Sequence, residues 1–171
     1  ASYSSQIGDH RPAVDDADVK AAEQSALAPF ELEGGENPYT IQSDLQQSMN
    51  DLVGIIRTGA ELERSLEEIE AFKERAKRLS VEGHRQYNPG WHLAIDLRNM
   101  LMVSESIAKA ALARTESRGG HTRDDHPKTD AEWGTKNLVL TLNEAGDGVE
   151  LAQKPLLVMP DELKTYFEEK S

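Results

Sequence analysis

Ala111-Leu112-Ala113-Arg114-Thr115-Glu116-Ser117-Arg118-Gly119-Gly120-His121-Thr122-Arg123-Asp124-Asp125-His126-Pro127 divides the chain. Before this stretch, apolar residues recur at helical spacing. Within it a polar loop dense in charge and histidine begins, and beyond it the pattern becomes that of strands. The chain therefore reads as helices first, then a hairpin and a tail.

Immediately upstream, Trp91, Ala94, Leu97, Leu101, Ser104, Ile107, Ala108, Ala111 and Leu112 trace a broad apolar stripe, with Met100 and Met102 on its edges. Asn88-Pro89 opens that helix, Asn as cap and Pro at the first helical position. The spacing predicts that it runs to about Glu116, with Gly119 or Gly120 as a left-handed stop. Further back, Thr58 and Glu61 form a capping box. Leu62, Leu66, Ile69, Phe72, Ala76 and Leu79 follow at heptad-like spacing, in a helix expected to end before Gly83. Asn37-Pro38 starts a third helix whose face is Ile41, Leu45, Met49, Leu52, Val53 and Ile56, broken near Thr58-Gly59. Three long helices with short connections predict a mainly α fold, an antiparallel up-and-down bundle.

Ala1 to Pro12 reads as a polar leader, and the absence of Met at the start reads as a cut end. Val14, Val19, Ala22 and Ala26 support a short weak helix behind Asp15 and Asp16, continuing loosely through Pro29. Downstream, Asn137–Leu142 and Val149–Lys154 flank a turn-rich segment and predict a hairpin. Two strands alone are marginal in water, so this hairpin must lie on something. A short terminal helix is expected from Pro160 to about Glu168, with Leu163 and Phe167 on its inner face. The expected organisation is a leader over 1–36, a bundle over 37–118, and a loop, hairpin and tail over 119–171.

The 171 residues suffice for one domain with a real core. Aromatics are only 5%, so burial falls to aliphatic helix faces or to a partner surface. A net charge of −12, spread along the chain, argues against nucleic acid, which needs clustered Lys and Arg. No window supplies the roughly 18 apolar residues of a membrane helix, so direct membrane insertion is not expected. With no cysteine, thiol catalysis and iron–sulfur ligation by this chain are excluded.

Several constellations invite chemical readings. His121, Asp124, Asp125 and His126 carry metal-ligand types, but their spacing fits no zinc pattern and Arg118 and Arg123 would repel a cation. Arg118, His121 and Arg123 would suit an anion, yet they follow a helix C-terminus where cations are favoured structurally, with Glu116, Asp124 and Asp125 as partners at hand. Trp91 and Tyr87 would stack on a flavin or base; a Trp just inside a helix start is more often a core anchor. His92 beside it reads as a partly buried, satisfied side chain. Gly34-Gly35 and Gly119-Gly120 do not sit between a strand and a helix, so no phosphate loop is present. No Ser or Thr has a His and acid arranged around it.

Asn37-Pro38-Tyr39-x-Ile41-Gln42-x-Asp44-Leu45-Gln46, Val53-Gly54-Ile55-Ile56-Arg57-Thr58, Tyr87-Asn88-Pro89-Gly90-Trp91-His92 and the Glu116–Pro127 run resemble the C-terminal part of the flavoprotein subunit of succinate dehydrogenase and fumarate reductase. The resemblance extends from about Asn37 to Leu138 and is weaker over 1–30 and the last segment. It implies a three-helix, spectrin-repeat-like domain and a small tail, following a flavin-binding domain and a mobile capping domain. The family's dinucleotide fingerprint, flavin-linking His and substrate-binding residues match no position here. The resemblance thus implies no catalytic, cofactor-binding or metal residue in these 171, with FAD held by the parent subunit.

It further implies that the parent oxidises succinate to fumarate and passes electrons through FAD to iron–sulfur centres. The implied partners are the FAD-binding domain of the same chain and, through the complex, an iron–sulfur subunit and a membrane anchor. The implied location is cytoplasmic and peripheral at the inner face of the membrane. Glu116, Arg118, His121, Arg123 and Asp124 are expected to form an inter-domain polar network, with Tyr87, Asn88 and Trp91 as its packing neighbours. L-aspartate oxidase shares the Glu-Ser-Arg-Gly-x-His run and is the alternative parent, although Arg123-Asp124 and Trp133 look more like the succinate dehydrogenase branch. A free-standing helical interaction module is the alternative from another class.

Overall fold

Asn37 does what its position predicts: its side chain accepts the Tyr39 N–H at 2.9 Å and starts a helix with Pro38 as the first residue. The computed structural model describes residues 2–8 and 13–168. In chain order the elements are α1 (Ser2–Ile7), α2 (Asp16–Leu27), a 3-10 turn (Ala28–Phe30), α3 (Pro38–Leu52), β1 (Ile56–Arg57), α4 (Gly59–Ala76) and α5 (Pro89–Ala113). There follow β2 (Thr122–Arg123), a 3-10 turn (Trp133–Thr135), β3 (Lys136–Leu142), β4 (Val149–Pro155) and α6 (Asp161–Glu168).

The fold is mainly helical, and α3, α4 and α5 each pack against the other two. Their stripes make one core from Ile41, Leu45, Leu52, Val53, Leu62, Ile69, Phe72, Leu93, Ala94, Leu97, Leu101, Ala108 and Ala111, closed by Leu79 and Val81 from the connection. The Thr58–Glu61 capping box forms in full at the start of α4. The end of α4 is tied to α3 and the chain before it by Arg75, whose guanidinium forks onto Glu36 and reaches Asp44 at 2.7 Å.

All three long helices end earlier than their apolar patterns. α3 stops at Leu52 rather than near Thr58: Gly54 breaks the chain, and Ile56 leaves the core to become strand, 63% exposed. α4 stops at Ala76, so Leu79 reaches the core from an extended segment paired with Glu36. α5 stops at Ala113, with Arg114 extended; Gly119 is left-handed (φ 60°), but at the tip of a tight turn five residues on. Ile107, placed on the inner stripe by spacing, is exposed, while Leu93 and Glu105 are buried in its stead.

The leader expected over Ala1 to Pro12 contains α1; Asp9 to Pro12 lie outside the described residues. α2 is capped by the Asp15 carboxylate and buries none of its residues, so Val19 is exposed. Its C-terminal end is held by the Trp91 indole, which donates to the Ala26 carbonyl at 2.7 Å, and by Arg98 on Ser25. The hairpin pairs antiparallel from Lys136↔Pro155 to Leu142↔Val149 and lies on α5. Its anchor is Lys109, which donates to the Val149 carbonyl at 2.8 Å, beside a buried Glu105 shared by Lys73 and Lys109. Leu163, expected on the inner face of α6, is exposed; the side chain of Phe167 lies outside the described residues.

Candidate functional site

The loop leaving α5 folds back on the helix it leaves. Arg118 and His121 exchange backbone hydrogen bonds of 2.8 and 3.0 Å around Gly119-Gly120, a two-residue turn whose first position needs the left-handed backbone glycine adopts freely. That reversal returns Thr122-Arg123 to lie parallel to Ile56-Arg57. A three-stretch knot results, from α5's end, the α3–α4 bend and the loop.

Two buried charges organise the knot. Glu116 is 0% exposed. Its carboxylate accepts from Arg114 at 2.6 Å, from Arg118 through Nε at 2.9 Å and a terminal nitrogen at 3.2 Å, and from the Asp130 N–H at 2.8 Å. The Arg118 guanidinium, aided by the other donors, holds this carboxyl down at about 2 despite burial. Arg123, 2% exposed, is the second hub. It forks onto Asp125 at 2.8 and 2.7 Å and donates to the carbonyls of Ala111 and Leu112 at 3.0 and 3.1 Å. Those carbonyls have no intrahelical partner, so a guanidinium stands where a glycine cap would ordinarily sit. Asp125 accepts the Gly59 N–H at 2.9 Å, an orphan donor at the start of α4. The ion pair thus joins the negative end of one helix to the positive end of another.

His121 places Nε2 3.0 Å from the Arg114 carbonyl, and burial together with Arg57, Arg123 and Arg114 pulls its pKa down. Ser117 ties the loop through its hydroxyl, which donates to the His126 carbonyl and accepts the Arg123 N–H. Trp133 closes the top, its indole on Thr115 and its ring 5.2 Å from the Arg114 guanidinium.

Of the expected network, Glu116, Arg118, His121 and Arg123 meet here. Asp124 contributes only its backbone N–H, to the Arg57 carbonyl; the acid that pairs Arg123 is Asp125. Tyr87, Asn88 and Trp91 do not pack on this cluster. They stand at the opposite end of α5, whose 25 residues place about 37 Å between them. Asn88 caps α5 through the Trp91 N–H, and Trp91 anchors α2 with Phe30 edge-on at 5.4 Å. Tyr87 has a positive φ of 56° and is 91% exposed. His92 is exposed rather than partly buried. Sequence reasoning named Asp125 among the acids at hand for these cations but left it out of the network, and it missed Arg114, Ser117 and Asp130, whose roles come from the loop's reversal.

Among the described residues no group of three or more His, Asp or Glu is placed to hold a metal ion. A hollow of about 990 Å³ lies elsewhere, between α2, α4, α5 and the hairpin turn, lined by Ala26, Leu32, Lys73, Leu101, Met102 and Asp147 among others. No helix of the described residues is long and apolar enough to cross a membrane.

The family model described as fumarate reductase flavoprotein C-term matches residues 42–166. The chain belongs to that family. The fumarate reductase flavoprotein subunit of Helicobacter pylori (strain J99) is 34% identical over 137 residues, covering 79% of this chain and 19% of that protein. The solved structure of Mycobacterium smegmatis Sdh1 in complex with UQ1 is 48% identical with a TM-score of 0.87, covering 95% of this chain and 28% of that one. An E. coli quinol fumarate reductase, 24% identical, covers 93% of this chain and 28% of its own at a TM-score of 0.79 and speaks to the fold alone. The chain spans about a fifth of the length of the curated fumarate reductase it matches.

In this flavoprotein C-terminal domain neither glycine pair forms a phosphate loop. Gly34 sits in a left-handed turn, and a Cβ on Gly35 would meet the Arg78 carbonyl at 2.3 Å. Gly119-Gly120 closes the Arg118–His121 turn, so neither pair opens a helix after a strand.

Proposed function

We propose that this chain is the supporting C-terminal domain of a succinate dehydrogenase or fumarate reductase flavoprotein subunit. The observation that carries it is the knot itself: Arg123 and Asp125 join the end of α5 to the start of α4, and the buried Glu116 is taken up by Arg114 and Arg118. In this view α3, α4 and α5 form an antiparallel up-and-down, spectrin-repeat-like bundle over 37–118, preceded by a leader over 1–36 and followed by loop, hairpin and tail over 119–171. It braces the flavin domain of the same polypeptide and aids subunit assembly. Glu116, Arg118, His121 and Arg123 act as a structural network, with Asp125 as the paired acid.

The parent would hold FAD upstream, oxidise succinate to fumarate and pass electrons to iron–sulfur centres of a partner subunit. It would lie at the cytoplasmic face of the membrane through its complex. The names of the matched relatives support this parentage. The run of exposed Leu156, Leu157, Val158 and Met159 supports a surface completed by a partner.

Complementation tests this. The chain is mixed with the separately expressed flavin-binding part, and co-elution and succinate-dependent dye reduction are followed. Co-elution with gained or stabilised activity is expected; a flavin part that is fully active and stable alone, with no association, would refute bracing.

A further inference from the structure

The bend between α3 and α4 carries Ile55, 82% exposed, and Ile56, 63% exposed, directly before Arg57. Single exposed isoleucines are ordinary, but two in succession beside an arginine are the composition of an interface centre, with apolar anchors flanking a guanidinium. Arg57 differs from its neighbours. Arg114 and Arg118 are engaged with Glu116, and Arg123 with Asp125. Arg57 forms no ion pair among the described residues, and its Nε is buried without a hydrogen-bond partner.

Nearby acids are already engaged. Glu61 is spent on the Thr58 backbone and hydroxyl, and Asp125 on Arg123 and Gly59. Asp124 holds the Arg57 carbonyl through its backbone and leaves the guanidinium unpaired. A buried donor without an acceptor is costly, and here the like charge of Arg123 adds to the cost. A carboxylate arriving from outside does not reach the enclosed Nε, but on the two terminal nitrogens it would make the two-pronged contact that guanidinium favours and offset the repulsion from Arg123.

The charge complementarity therefore calls for an acid on an apolar background, although the chain as a whole is at −12. This chain spans 28% of the M. smegmatis relative, so in a protein of that length most of the polypeptide is tethered to this domain at high effective concentration. We propose that Ile55, Ile56 and Arg57 dock an apolar segment bearing a glutamate or aspartate from the flavin-binding part of the same flavoprotein. This rests on the supporting role assigned above.

Phenylglyoxal, which modifies accessible guanidinium groups, is the probe, applied to the 171-residue chain and to the full flavoprotein, with peptide mapping by mass spectrometry. Arg57 should react at least tenfold more slowly in the full flavoprotein, and Arg57→Gln should lower that protein's melting temperature while leaving the isolated chain's unchanged. Equal reactivity of Arg57 in both, with other arginines protected in the full protein, would overturn the Arg57 contact and leave bracing intact. Equal reactivity everywhere would overturn both. Protection of Arg57 in the isolated chain alone at high concentration, with a dimer on sizing, would assign the surface to a second copy and overturn the proposal.

Discussion

Replacing Arg123 with Met removes the charge that joins α5 to α4 while keeping most of the side chain's volume. Two well-aligned bonds to the Ala111 and Leu112 carbonyls disappear. Hydrogen bonds from a charged group are worth about 1.5 kcal/mol or more each, so these contribute about 3 kcal/mol. The fork onto Asp125 is discounted, because that carboxylate is about a third exposed and recovers water: it adds under about 1 kcal/mol. The expected loss is about 3–4 kcal/mol, in line with the penalty for breaking one side of a buried pair. With a urea slope of about 2 kcal/mol per molar, the midpoint falls by about 1.5–2 M at unchanged slope. Arg123→Lys should recover less than half, since an ammonium cannot fork onto Asp125 and reach two carbonyls together. Asp125→Asn should cost about 1 kcal/mol alone and far less in the Met background, as a shared interaction requires. An Arg123→Met loss below about 1 kcal/mol would refute the view that a guanidinium caps α5.

Other outcomes follow from the same contacts. The Glu116 carboxyl is held at about 2, below its ordinary 4.5, so its contribution is present at neutral pH and lost as pH falls through that interval; urea midpoints from pH 5 to pH 2 should drop less steeply in Glu116→Gln. Leu97→Ala, at a fully buried site where α5 meets α3 and α4, should cost about 2–5 kcal/mol by thermal or urea melting. Glu105→Gln should release Lys109 and Lys73 and speed amide exchange in Val149–Pro155 relative to the bundle core.

Much of the architecture is legible from the sequence because it rests on local chemistry. Asn37, Thr58 and Asn88 cap helices within three residues of themselves, and the stripes on α3, α4 and α5 are periodic. Helix ends are less legible. An apolar residue such as Leu79 keeps a helical spacing although it reaches the core from an extended segment, and Ile56 keeps it while facing outward. The cluster after α5 is half legible for the same reason. Charge density marks Glu116, Arg118 and Arg123, but the choice of Asp125 over Asp124 is made by the turn at Gly119-Gly120, which brings β2 against β1. The separation of Trp91 from that cluster follows once both are placed on one helix: residues at opposite ends of 25 helical positions do not touch.

The most direct test of the supporting role compares thermal exposure of the flavin in the full flavoprotein with that in a version lacking residues 37–155. Flavin fluorescence is followed on heating, since opening of the flavin site to water raises it whether or not the flavin stays linked to the chain. The account predicts that the shortened protein exposes its flavin at a markedly lower temperature. Exposure at the same temperature in both would contradict it.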